Sequence, residues 1–287
     1  MIPELEQARK KIGAKHTTED TVTASSIAKL AATLDADNPA PERGDVIPAG
    51  WHTIFCMAAP RRAALSADGL PAGDDLLPEL SLPRRMFGGA RQRFLAPVQV
   101  GDDIRTEREL AELVSKPGKA GDMVIATVRT SVHTPRGLAI VEDQDVLYLG
   151  PADPAAPPAG AAPGKPAPAP ASWSRTVHPD TILLFRFSAL TFNSHRVHYD
   201  KPFVTGEERR PDLLVQGKLS ALMLIDLART AHPGRVIAGF AYRSVRPLYA
   251  SSPFHVEGRP AAGGNAAELW IRDHEGCLAQ TATVDFG

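Results

Sequence analysis

Cysteine is scarce in this chain: Cys56 and Cys277 are the only two among 287 residues. Two thiols so far apart exclude a disulfide framework and a zinc site built on paired cysteines. Their apolar neighbours mark both as buried free thiols. Charge of one sign is also missing, since the formal net charge is −1. That balance gives no electrostatic footprint for nucleic acid or an anionic membrane. An anionic small ligand would need Arg or Lys side chains gathered locally. No apolar run is long enough to span a bilayer. The stretch from Met1 to Leu30 has no apolar h-region and no small-residue cleavage pattern, and Glu4, Glu6, Glu19 and Asp20 weigh against an amphipathic organellar leader. The expectation is a cytoplasmic protein with no nucleic-acid or membrane partner. Glycine-rich nucleotide motifs and metal-ligand spacings are absent too, so neither a metal nor a cofactor is expected.

What remains is ordinary globular composition, with 43% hydrophobic and 23% charged residues in a length that suits one large domain or two ordinary ones. The clearest break runs from Pro151 to Pro170, where sixteen of twenty residues are Pro or Ala. Such a stretch cannot build a core and favours extended polyproline geometry, with a reach of roughly 60 Å. It divides the chain into an N-terminal unit, residues 1–150, a linker, 151–172, and a C-terminal unit, 173–287.

Both units show one order of elements. In the second, the mostly apolar run Leu213–Ala231 reads as a helix, preceded by Pro211 and stopped near Pro233 and Gly234. Strand-like segments follow at Val236–Val245, Phe254–Arg259, Ala267–Asp273 and Cys277–Phe286, with residues 273–276 turning the last two into a hairpin. The first unit has a helix candidate at Ser25–Leu34 and strand-like stretches at Arg91–Val100, Ile104–Leu113, Met123–Thr134 and Leu138–Leu149. Phe94-Leu95-Ala96-Pro97-Val98 and Val245-Arg246-Pro247-Leu248-Tyr249 occupy matching places. Two copies of one helix-plus-antiparallel-sheet unit are the simplest architecture. The fold class is therefore α+β, a double hotdog: two central helices, each wrapped by a curved antiparallel sheet.

Chemistry concentrates between Phe185 and Phe203. Asn193, His195, Arg196, His198 and Asp200 fall within eight residues, interleaved with apolar Phe192 and Val197. Polar groups over an apolar floor suit a pocket for a small organic ligand. The first unit has no such cluster; His52 and His133 stand alone.

The pattern FSALTFNxHRxHYD, followed by the helix start PDLLVQGKL, resembles the MaoC-like hotdog hydratases. More narrowly it is similar to the hydroxyacyl-thioester dehydratases of type 2 and to mesaconyl- and itaconyl-CoA hydratases. Leu82-Pro83-Arg84-Arg85-Met86, Gly101-Asp102 and Arg246-Pro247-Leu248-Tyr249 support the likeness. The resemblance implies a hydro-lyase acting on a 2-enoyl CoA thioester, with coenzyme A carried by the substrate, and a homodimer. Aligned on the last residue of the family's GDxNPxH motif, the catalytic histidine is His198. The family's aspartate falls on Asn193, its asparagine on His195 and its proline on Arg196.

A neutral amide can only orient water through hydrogen bonds, whereas an aspartate can take its proton. His198 is therefore the expected general acid/base and Asn193 the holder of water. Asp200 either orients His198, which an extended backbone would permit, or caps the turn before Lys201-Pro202. Gly217 either offers its N–H to the thioester oxygen at a helix N-terminus or lets the helix pass a neighbouring strand. Beside it, Gln216 stands where many relatives have histidine. Arg196 suits a second substrate carboxylate, a phosphate or an internal Asp. Lys218, Arg243 and Arg246 are candidates for the CoA phosphates, His195 for substrate contact, and Arg84 and Arg85 for a distal carboxylate. Trp51, Phe55, Met57, Met86 and Phe87 are candidates to line an acyl groove. A fatty-acyl dehydratase, a thioesterase and an acyl-CoA-binding module with a decayed site are the competing readings.

Overall fold

The computed structural model describes residues 4–73, 76–118, 121–151 and 164–287. The chain runs α1 (Leu5–Arg9), β1 (Lys15–Thr21), α2 (Ala24–Leu34), β2 (Arg84–Phe94), β3 (Asp103–Gly118), β4 (Gly121–Thr134) and β5 (Gly137–Leu149). The second half follows as β6 (Trp173–Val177), α3 (Thr181–Leu190), α4 (Lys201–Gly206), α5 (Gly217–Ala231), β7 (Ile237–Ser244), β8 (Phe254–Pro260), β9 (Ala266–Arg272) and β10 (Leu278–Phe286).

One ten-stranded sheet results, in the order β1-β3-β4-β5-β2-β7-β10-β9-β8-β6. Read outward from the middle, each half repeats one plan, with its second strand at the seam and its first strand at the rim. The seam is antiparallel and aligns Ala90 with Tyr242 and Arg93 with Gly239. Joining there removes two open edges. The rim strand β1 carries Lys15, Glu19 and Asp20 and is exposed along most of its length, which discourages further pairing.

The repeat extends to the backbone hydrogen bonds after each seam strand. Leu95 and Ala96 donate to the Ala139 carbonyl, at 2.8 and 3.2 Å; Val245 and Arg246 donate to Ala279, at 2.8 and 3.0 Å. Pro97 and Pro247 follow at the same offset. The segment expected as one strand over residues 91–100 therefore splits. β2 ends at Phe94, and its start lies seven residues earlier, at Arg84. Proline removes a donor, so pairing stops just before it.

The α+β double-hotdog class holds, with an asymmetry in its helices. In the second half, α5 packs against β6 through β10, and every residue from Leu219 to Ala228 is buried. A helix buried on all sides belongs in the centre of a wrapped sheet. Fully burying each of Leu219, Leu224 and Ile225 contributes about 1.5–3 kcal/mol. Among the described residues, the first half has no counterpart to α5. Its helix α2 follows β1 directly, as α3 follows β6, and these two helices pack on each other. In the first half the 3-10 turn Trp51–Ile54 and Phe55 join the main core, with Trp51, Ile54 and Phe55 buried and His52 and Thr53 half-buried. In place of the expected second central helix, the described residues between α2 and β2 are irregular chain with this turn and the 3-10 turn Arg62–Ala64.

Much of the expected linker, 152–163, lies outside the described residues. Its last part does not stand free: Lys165 accepts from Leu278 N–H at 2.8 Å and Ala167 donates to Gly276 at 3.0 Å, so the chain rests on the β9–β10 turn. Cys56 and Cys277 are half-buried rather than fully enclosed. Among the described residues, no helix is long and apolar enough to cross a membrane.

Candidate active site

The chemistry-bearing segment lies between α3 and α4. Phe192 adopts a left-handed backbone, φ 49°, which ends α3 and turns the chain back. Asn193 N–H then donates to Ser188 O at 2.8 Å, and its side-chain Oδ1 accepts from His195 N–H at 3.0 Å. The amide oxygen is thus held by its own loop, and the amide NH2 remains the group with which Asn193 can meet a ligand. Residues 196–198 form a 3-10 turn.

His198 is the best enclosed titratable group of this loop, at 9% exposure. Its Nδ1 lies 2.8 Å from the Leu214 carbonyl. A carbonyl can only accept, so Nδ1 carries the proton and the lone pair of the neutral ring sits on Nε2. Burial pushes the imidazole down to about 4, against a smaller upward effect of the Leu214 bond. The ring meets His195 edge-on, with centroids 5.6 Å apart. His195 is likewise lowered, first by burial, while Asp68, 3.9 Å from its Nε2, opposes the shift.

Asp200 does not reach His198. The 3-10 turn replaces the extended backbone that would have put both side chains on one side. Asp200 caps α4 by accepting from Phe203 N–H at 3.1 Å and pairs with Arg196 at 2.9 Å. Those two contacts hold its carboxyl below the usual range. Arg196 is fully engaged: besides Asp200 it donates to Ala67 O at 3.0 Å and stacks over Phe203, 4.0 Å from the ring centre. Of its expected partners, the internal Asp is the one present.

Gly217 is the first residue of α5, and no side chain caps that helix. A Cβ on Gly217 would meet only Ser244 Oγ, at an ordinary 3.4 Å, so helix packing does not require glycine there. Gln280 of β10 donates to the Gly217 carbonyl at 3.1 Å and fixes its place. Gln216 is turned inward, donating to Leu184 O at 2.9 Å and Ser188 Oγ at 2.8 Å. It clamps α5 to α3, and with 3% exposure it offers nothing to a substrate.

The remaining cations are scattered. Arg246 pairs with Asp273 and Glu275 on the β9–β10 turn, at 3.4 and 2.6 Å. Arg84 donates to Gly150 O at 2.7 Å. Arg85 is exposed at the start of β2, and Arg243 is exposed on β7, opposite in alternation to buried Tyr242. Lys218 lines a separate void of about 20 Å³ behind the seam, shared with Thr53, Gln92 and Tyr242.

A cavity of about 450 Å³ opens beside the loop, within the range of small-ligand pockets. Ser188, Asn193, Ser194 and Tyr199 form one wall; Phe185 and Phe192 add apolar surface. The facing wall comes from the first half, through Ala58, Pro60, Arg62, Leu65, Gly69 and Leu70. The expected lining residues Trp51 and Phe55 are core, Met86 is exposed, and neither Met57 nor Phe87 reaches this cavity.

The facing wall is a strap that sequence reading missed. Leu65 bridges Pro71 across a tight turn, and an Asp-Gly pair between apolar residues is a hairpin signal. Its tip docks onto the loop: Asp68 O accepts from Arg196 N–H at 2.8 Å, and Gly69 O accepts from Ser194 Oγ at 2.6 Å. Gly69 has φ +86°, and a Cβ there would stand 2.0 Å from Ser194 O. Only glycine fits.

Fold and site together give a double hotdog with a buried histidine, His198, on a loop of the second half that a strap of the first half meets. A family model described as hydroxyacyl-thioester dehydratase type 2 matches residues 50–250, and the chain belongs to that family. It is a hydratase or dehydratase of acyl thioesters. Mesaconyl-C(4)-CoA hydratase of Chloroflexus aurantiacus is 38% identical over 276 residues, 96% of each chain. Among solved structures, a MaoC-like dehydratase superposes with a TM-score of 0.69 at 13% identity, covering 97% of this chain and 99% of the other. A Mycobacterium tuberculosis protein with a double hotdog fold gives 0.53 at 14% identity, covering 96% of both. At such identities these structures speak for the fold alone.

Proposed function

We propose that this enzyme hydrates a short dicarboxylyl 2-enoyl-CoA, mesaconyl-C4-CoA first, to citramalyl-CoA, with itaconyl-CoA, its double-bond isomer, as the related substrate. The observation that carries the reading is the end-to-end likeness to a mesaconyl-C4-CoA hydratase, joined to a His198 whose Nδ1 is anchored on Leu214.

In the proposed step a water accepts a hydrogen bond from the Asn193 amide N–H and gives one of its protons to His198 Nε2. The resulting hydroxide attacks the β-carbon of the enoyl group, and the electron pair of the double bond moves toward the thioester oxygen. Uncapped N–H groups at the start of α5, with Gly217 first, stabilise that oxygen. Imidazolium buried in this setting is a strong acid. It returns its proton to the α-carbon, which completes the addition and restores neutral His198. Read backwards, the same groups remove water. The scheme uses the chain's own side chains and the coenzyme A of the substrate, with no added cofactor.

A 3-hydroxyacyl-thioester dehydratase of fatty-acid metabolism is the second reading, favoured by the description of the matching family. Loss of enoyl-thioester absorbance with mesaconyl-C4-CoA, itaconyl-CoA and crotonyl-CoA separates the two. Turnover of a dicarboxylyl substrate, lost in His198→Ala, supports the first. Preference for crotonyl-CoA supports the second. Tight binding without turnover of any of the three would leave an acyl-CoA-binding protein. The homodimer expected from the family is checked by light scattering on the purified chain.

A further inference from the structure

A dicarboxylyl substrate brings a second carboxylate into the acyl pocket, and that charge needs a cation. Arg196, the sequence's first candidate, is held by Asp200, Ala67 and Phe203. Lys218 lines a separate small void and not the 450 Å³ cavity. Arg62 differs from both. It begins the 3-10 turn of the strap and lines the 450 Å³ cavity opposite Asn193 and Ser194. It is the one charged residue among those that line it. Among the described residues, no hydrogen bond or ion pair engages its guanidinium. The nearest strap carboxylate, Asp68, is occupied by Ser66 Oγ and Leu70 N–H, at 2.5 and 3.0 Å.

We propose that Arg62 binds the distal carboxylate of the acyl group and so sets the preference for dicarboxylyl over monocarboxylyl thioesters. The inference rests on the dicarboxylyl reading given above. A planar guanidinium offers two parallel N–H donors to a carboxylate, and Phe185, Phe192 and Leu65 line the same cavity with apolar surface for the rest of the acyl group. The strap thus makes specificity a property of the first half, while the catalytic loop belongs to the second.

The test compares wild type, Arg62→Leu and Arg61→Leu. Arg61 carries the same charge one residue earlier but does not line the cavity, so it controls for general attraction of the CoA polyanion. The readouts are the ratio of kcat/KM for mesaconyl-C4-CoA over crotonyl-CoA, and calorimetric binding of succinyl-CoA against butyryl-CoA, which differ by a terminal carboxylate. Arg62→Leu should lower both ratios about 10- to 100-fold, as expected for a charge-assisted pair, with Arg61→Leu within threefold of wild type. A wild type that prefers dicarboxylyl thioesters and keeps that preference in Arg62→Leu overturns the assignment of Arg62 alone. An equal fall in Arg61→Leu overturns it as well. A wild type with no dicarboxylyl preference in either readout overturns the underlying substrate reading.

Discussion

The Nδ1 of His198 donates to the backbone carbonyl of Leu214 across 2.8 Å. That contact, made just before α5, fixes both the tautomer and the direction of the ring. The partner is backbone, so no carboxylate raises the basicity of the imidazole, and burial leaves it at about 4. His198 is therefore neutral and ready to accept a proton throughout the physiological range.

Replacing His198 by Ala removes the group that the proposed scheme uses to move the proton in both directions. The expected outcome is a fall in kcat of about 10²- to 10⁴-fold, with an unchanged far-UV circular dichroism spectrum. A fall below tenfold in the folded variant would remove His198 from the mechanism.

The pH profile of kcat/KM reports the free enzyme. Because the folded His198 titrates near 4 rather than near its ordinary value, no acid limb should appear between pH 6 and 8. A limb centred near 6.5 would mean an exposed or carboxylate-paired histidine. Asp200→Asn should leave that profile in place and keep kcat/KM within about threefold, since Asp200 caps α4 and holds Arg196. If Asp200 did charge His198, the profile would move.

Gly69→Ala places a methyl group 2.0 Å from Ser194 O on a backbone at φ +86°. The strap tip must lift off the catalytic loop. We expect a loss of kcat/KM of at least about tenfold with a small fall in Tm. The control Gly73→Ala, where a Cβ meets nothing within 4 Å, should behave as wild type.

His52 and His198 both sit near 4 in the folded protein because burial disfavours their charged forms. Their folded values lie below the unfolded value of about 6.5, so the unfolded chain binds more protons between those limits. Stability is complete above pH 6.5 and is lost as pH falls toward 4, by roughly 3 kcal/mol for each histidine. Urea midpoints at pH 7.5, 6.0 and 5.0 measure this. His52→Leu should flatten part of the slope, and an unchanged slope would show that His52 is not the group responsible.

Local patterns in the sequence carried the class of the fold and the grouping of the polar residues on the candidate loop. The run Leu213–Ala231 reads as a helix from its apolar residues, Leu219, Leu222, Leu224, Ile225 and Leu227 among them; the helix begins at Gly217, and all its residues from Leu219 to Ala228 are buried. The duplicated strand order is visible because Pro97 and Pro247 punctuate both copies alike. Asn193, His195 and His198 stand close in the chain, so their grouping needs no tertiary information. Long-range contacts decided the rest. Whether Asp200 meets His198 or Arg196 depends on a 3-10 turn that spacing alone does not reveal. Leu214 as the partner of His198 lies sixteen positions away and acts through its backbone, which any residue could supply. Arg62 and Gly69 come to the site only because the seam between β2 and β7 sets the two halves side by side. A sequence lists such residues as an exposed arginine and a turn glycine; their meeting with Ser194 and Asn193 is fixed by packing across that seam.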